Sequence, residues 1–181
     1  MKYDKQKTIN HPVSTTYPCC IQDFNEVVKN EDKSLSQIPN LLNDVDVLNL
    51  DCAKDKKSIE VGEERPKSMD ITFAISENNN SEMVLVDFKL NFINPDNLSR
   101  ENLVKKVNDS IVFLGNSIPI HNEHIFVFQH NKVQQAINRL QRMIPKIPNN
   151  YVAMDLQDLI NNYFKKYQST TISIYGGVET E

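Results

Sequence analysis

Two stretches of β-forming residues, 71–75 and 83–90, flank the polar run Glu77-Asn78-Asn79-Asn80-Ser81-Glu82, and together they constrain the fold more than any other feature. The polar run is turn chemistry that continues neither strand. Closure as an antiparallel hairpin about Asn79-Asn80 sets Asp70 opposite Lys89 and Thr72 opposite Asp87. Side chains alternate along a strand, so Asp87 and Lys89 share one face while Val84, Val86, Phe88 and Leu90 share the other. Directly opposed residues also share a face, which brings two carboxylates and an ammonium onto one patch. The simpler expectation is a half-exposed strand with a cross-strand ion pair worth under about 1 kcal/mol. Against it stand Met83 and Leu85, which make the start of the charged face apolar, as in a central strand. Charge then enters only at the strand's end, where a site opens.

At 181 residues the chain is long enough for one domain with a real core and too short for two. Its 39% apolar and 24% charged residues are the balance of a folded globular protein. No apolar run approaches the roughly 18 residues that span a bilayer, and no apolar segment follows the polar N-terminus, so neither a transmembrane helix nor a secretory leader is expected. The cysteines are Cys19, Cys20 and Cys52. An odd number with two adjacent argues against a disulfide framework and for a reducing, cytoplasmic setting, and the missing CxxC spacing argues against zinc. A net charge of −4 excludes a strongly basic nucleic-acid binder but not a local basic patch.

Taken in order, residues 1–20 read as an extended arm with Pro12 and Pro18, followed by a short helix over 23–29. Leu35, Ile38, Leu41, Leu42, Val45 and Leu48 predict a helix over 35–50, and residues 58–61 a first strand. The hairpin supplies the second and third strands. Ser99 caps an amphipathic helix over 100–114 that carries Leu103, Val104, Val107, Ile111 and Leu114. A buried strand over 124–129 follows, then a helix capped by Asn131, a last helix from Asp155 and a strand over 170–175. The plan is an arm and short helix (1–34), one α/β domain (35–175) and a tail (176–181). The connection from the hairpin to strand 124–129 is long enough for a helical crossover to a parallel strand, which makes a mixed central sheet with flanking helices.

A helix-β-β-β-helix-β order, with Asp70 on the second strand and Asp87-Phe88-Lys89 on the third, resembles the PD-(D/E)xK nuclease superfamily over roughly residues 35–129. The resemblance implies a restriction-endonuclease-like αβββαβ core and a Mg²⁺- or Mn²⁺-dependent phosphodiesterase acting on nucleic acid. It implies Asp70, Asp87 and the backbone carbonyl of Phe88 as metal ligands and Lys89 as the catalytic lysine. The glutamate that the family often draws from its first helix has no assignment: helix 35–50 offers Asp44 or Asp46, and Glu26 lies upstream. Two carboxylates and a carbonyl form an all-oxygen site suited to a hard divalent cation, which neutralises charge building on a phosphorane-like transition state.

Lys132, Arg139, Arg142, Lys146, Lys165 and Lys166 outnumber the acids Asp155 and Asp158 over 130–168, a basic region that either tracks a nucleic-acid backbone or is an ordinary solvated helix face. Candidate substrate contacts are Gln129, Lys105, Arg139 and Arg142. His121 and His124 flank Glu123 at a metal-compatible spacing, although on a loop such a trio is usually surface chemistry. The rival reading is the same fold with its catalysis lost, serving as a protein-binding or inhibitory module. A homodimer would suit a nuclease that cuts both strands.

Overall fold

The structure is a computed structural model that describes residues 2–32 and 41–167. It is an α/β fold built on a seven-stranded mixed sheet. The strands are β1 (Lys2–Tyr3), β2 (Ile21–Asp23), β3 (Asp46–Asn49), β4 (Ile71–Glu77), β5 (Asn80–Lys89), β6 (Ile120–Phe128) and β7 (Tyr151–Asp155). They run in the order β2-β3-β4-β5-β6-β7, with β1 also on β4. The pairs from β2 to β5 are antiparallel, whereas β5–β6 and β6–β7 are parallel. Helices are α1 (Lys5–Ile9), α2 (Pro12–Thr16), α3 (Phe24–Glu31), α4 (Leu50–Val61), α5 (Arg100–Leu114), α6 (Val133–Gln141) and α7 (Leu156–Leu159).

The hairpin forms at Asn78-Asn79, both left-handed at φ 49° and 70°, so its two-residue turn is one residue earlier than expected. Asparagine tolerates that conformation, and two successive positive φ values match the twist of a hairpin. Ile71 therefore faces Val86 and Thr72 faces Leu85, which corrects the expected pairing of Asp70 with Lys89 and Thr72 with Asp87. The slip is two residues. Because side chains repeat every two, each keeps its face.

Two cores sandwich the sheet. One holds Val84, Val86 and Phe88 of β5 with Phe24 of α3 and Phe164. The other holds Leu85, Phe126 and Phe128 with residues from α4, α5 and α6. β5 is buried on both faces along most of its length, as a central strand should be.

Several expectations need correction. Residues 2–20 are a docked segment containing α1 and α2, capped by Asp4 and His11. Of the expected 35–50 helix, residues 41–49 are not helical: residues 46–49 form β3, where Val47 enters one core and Leu48 the other. Burial on both faces removes the two-residue alternation that marks a strand. Residues 58–61 end α4, which runs from the Asn49 cap to Gly62 at φ 68°. β7 stands where no strand was expected, because its five residues are too few to show a period against the helix that follows. Cys20 and Cys52 are joined in a disulfide, 32 residues apart. The expected strand over 170–175 lies outside the described residues. No helix among those described is long and apolar enough to cross a membrane.

Candidate functional site

Asp70, Asp87 and Lys89 meet at the end of β4 and β5, and the backbone fixes why. Asp70 is the residue before β4; its N–H donates to the Val86 carbonyl at 3.0 Å and its carbonyl accepts from Leu50 N–H at 2.9 Å. Just upstream, the Met69 N–H donates to Ser110 Oγ of α5 at 2.9 Å. The Asp70 carboxylate turns back to accept the Phe88 N–H on Oδ2 at 2.6 Å. Asp87 is fully buried, on the face where Leu85 enters the core beneath α5. A buried carboxylate needs a cation. Two lysines supply it: Lys89 forms an ion pair with Asp87 Oδ2, and Lys106 of α5 bonds Asp87 Oδ1 and reaches Asp70 Oδ1 at 3.4 Å.

Asp87 Oδ2 is fully buried, and the Lys89 ammonium is its ion-pair partner. Burial, and then the neighbouring Asp87 charge, push the Asp70 carboxyl well above the usual range. Burial pulls the Lys106 ammonium down, but Asp87 and Asp70 outweigh it and hold that pKa above its ordinary value. Glu31, the last residue of α3, feels the same centre: burial and then the Asp87 charge raise its pKa, while Lys106 and Lys89 lower it.

A cleft of about 320 Å³ opens above this centre. Lys89, Lys106, Arg65, Lys67, Asp51 and Ser68 line it, four cations against one acid. Asp70 and Asp87 do not line the cleft; they sit beneath the two lysines.

The other candidates are dispersed. Lys105 is exposed on the outer side of α5 and pairs with Asp109 at 3.1 Å, so the neighbouring Lys106 is the lysine that reaches the site. Gln129 is exposed at the end of β6. Arg139 donates to the Leu98 carbonyl at 2.9 Å, and Arg142 lies 3.7 Å from Asp96. None of these four lines the cleft. Phe88 places its side chain in the opposite core and brings only its backbone to the site. His121 and His124 do not converge: His121 pairs with Glu82 and packs on Tyr163, while His124 packs on Tyr151.

Glu31 and Lys106 were not expected here. Lys106 had a signal, three residues beyond Leu103 and four before Ser110, on the buried stripe of α5. Glu31 had none, because its place depends on how α3 packs against β5.

Comparison with family models, with curated proteins and with solved structures returns no match.

Proposed function

We propose that the chain is a Mg²⁺-dependent phosphodiesterase of the PD-(D/E)xK nuclease type, acting on nucleic acid in the cytoplasm. One observation carries the reading: Asp70 and Asp87 converge at the ends of adjacent strands, directly beneath Lys89 and Lys106, the two lysines that line a basic cleft. The element order supports it, since α3, β3, β4, β5, α5 and β6 follow the αβββαβ order with α4 as an insertion. In that order α3 is the first helix, and Glu31 takes the glutamate position.

The residues fit a hard divalent cation. All the donors are oxygen, and they include the fully buried Asp87 carboxylate, whose charge is met by Lys89 and Lys106. Asp70, Asp87 and the Phe88 carbonyl would hold the cation. Bound there, it would lower the pKa of a water and offset charge on the phosphoryl oxygens. The protein's own groups do the rest. Arg65 and Lys67 draw the phosphate backbone into the cleft, Lys106 neutralises the carboxylates until the cation arrives, and Lys89 orients the attacking water.

A second reading has its own support. The Lys106 ammonium already bonds both carboxylates, the arrangement of a site whose charge is satisfied internally. The fold would then be a catalytically inactive protein-binding or inhibitory module. The exposed apolar side chains Ile59, Val61 and Val112 give such a module a surface to bind with.

Calorimetric titration with Mn²⁺ separates the two. Saturable binding lost in Asp87→Asn is expected, and Lys89→Ala should then keep the fold and abolish cleavage. A folded wild type that binds no Mn²⁺ at millimolar concentration overturns the nuclease reading.

A further inference from the structure

The disulfide accounts for two of the three cysteines, and the position of the third needs its own explanation. Cys19 is exposed and free, yet the Sγ atoms of Cys19, Cys20 and Cys52 all lie within 4.8 Å of one another. They come from two elements: Cys19 and Cys20 from the turn before β2, and Cys52 from the first turn of α4. A disulfide alone needs no third sulfur at that distance. Three thiolates around a tetrahedral zinc, at ~2.3 Å each, would stand about 3.8 Å apart, so Cys20 and Cys52 must part once reduced while Cys19 already lies within about 1 Å of the needed spacing. Cys52 also sits where the dipole of a twelve-residue helix favours an anionic sulfur.

We propose that this trio is a redox-gated site for a thiophilic divalent cation of the zinc class. With Cys20–Cys52 joined, one thiol remains and the site is closed. Opened by a dithiol reductant, which leaves as its own cyclic disulfide, the bond takes up two electrons and two protons. Three thiols then face one point. The cation displaces their protons, and water completes the tetrahedron. Either state ties the turn to the start of α4, and so holds Asp51, the residue before Cys52, in the wall of the basic cleft. The proposal is independent of the nuclease reading, because oxygen donors and thiolates select different metals.

The test uses the full chain, reduced with a water-soluble phosphine, freed of it without air and titrated with Cd²⁺. The readout is the ultraviolet sulfur-to-cadmium charge-transfer band, with far-ultraviolet circular dichroism reporting the fold. One equivalent should saturate the band in the reduced protein, and the oxidised protein should show none. Cys19→Ser should lose about a third of the intensity, because the band follows the number of thiolates bound. A reduced protein that unfolds and regains its fold and the band on adding Cd²⁺ supports the site equally. No band after reduction, or a wild-type band in Cys19→Ser, overturns it.

Discussion

Lys106 shows how much a single side chain decides at this site. Its ammonium is the contact shared by two carboxylates that would otherwise repel each other in a buried place. Lys106→Met should therefore destabilise the protein by about 3 kcal/mol in urea denaturation, the low end of the cost of removing one partner from a buried ion pair, since Lys89 still pairs with Asp87. Under the nuclease reading, Mn²⁺ should restore more stability to this variant than it adds to the wild type, since the cation takes over the missing charge. Equal Mn²⁺ effects in the two proteins would favour the internally satisfied site. His11 gives a second prediction. It is buried, its Nδ1 accepts the Val13 N–H at 3.2 Å, and Nε2 therefore donates to Ser117 Oγ at 2.9 Å. Burial holds its pKa below the ordinary 6.5. The neutral ring's stabilising share is full above that value and lost as pH falls through the lowered pKa, because the unfolded chain binds the proton first. His11→Asn, which keeps a capping side chain, should flatten the fall in stability between about pH 7.5 and about pH 5.5.

The hairpin and α5 are where local sequence determined the outcome. Asn78-Asn79 supplies the two left-handed residues of the turn, so Asn79→Ala should cost about 1 kcal/mol in thermal or urea unfolding. Asn79→Gly should cost nothing or stabilise slightly, which separates backbone strain from loss of the amide. Helix α5 was legible to the residue from its Ser99 cap and apolar stripe. The face shared by Asp87 and Lys89 was legible too, because it depends only on the two-residue period and survived the register slip. β3 and α4 were not. Val47 and Leu48 are apolar because β3 is buried on both sides, and with Val45 just before it the pattern mimics a helix. α4 carries exposed Ile59 and Val61 near its end, β-branched residues that read locally as a strand. Cys52 could not be placed beside Cys19 and Cys20 for the same reason, since the start of α4 was misjudged.

At the scale of the molecule, Phe164 joins segments that are far apart in sequence. Its ring packs against Tyr3 at 5.2 Å, Phe24 at 5.2 Å and Phe73 at 4.6 Å. Phe164→Ala should cost about 3–5 kcal/mol in urea denaturation, because a cavity there touches three separate elements. The arrangement also bears on the site: α3 packs against β5, and that packing puts the Glu31 carboxyl within electrostatic reach of Asp87. The first residues have a related role in the sheet. One flank of β4 is shared end to end, with β3 covering Ile71 and Thr72 and β1 covering Ile75 and Ser76. Tyr3 fastens that seam, its hydroxyl accepting the Asp46 N–H and donating to the Asp46 carbonyl. Two residues thus stand between half of a central strand and any other chain with an extended segment to offer. Their loss would turn a sealed interior strand into an adhesive one, and self-association would be felt before unfolding.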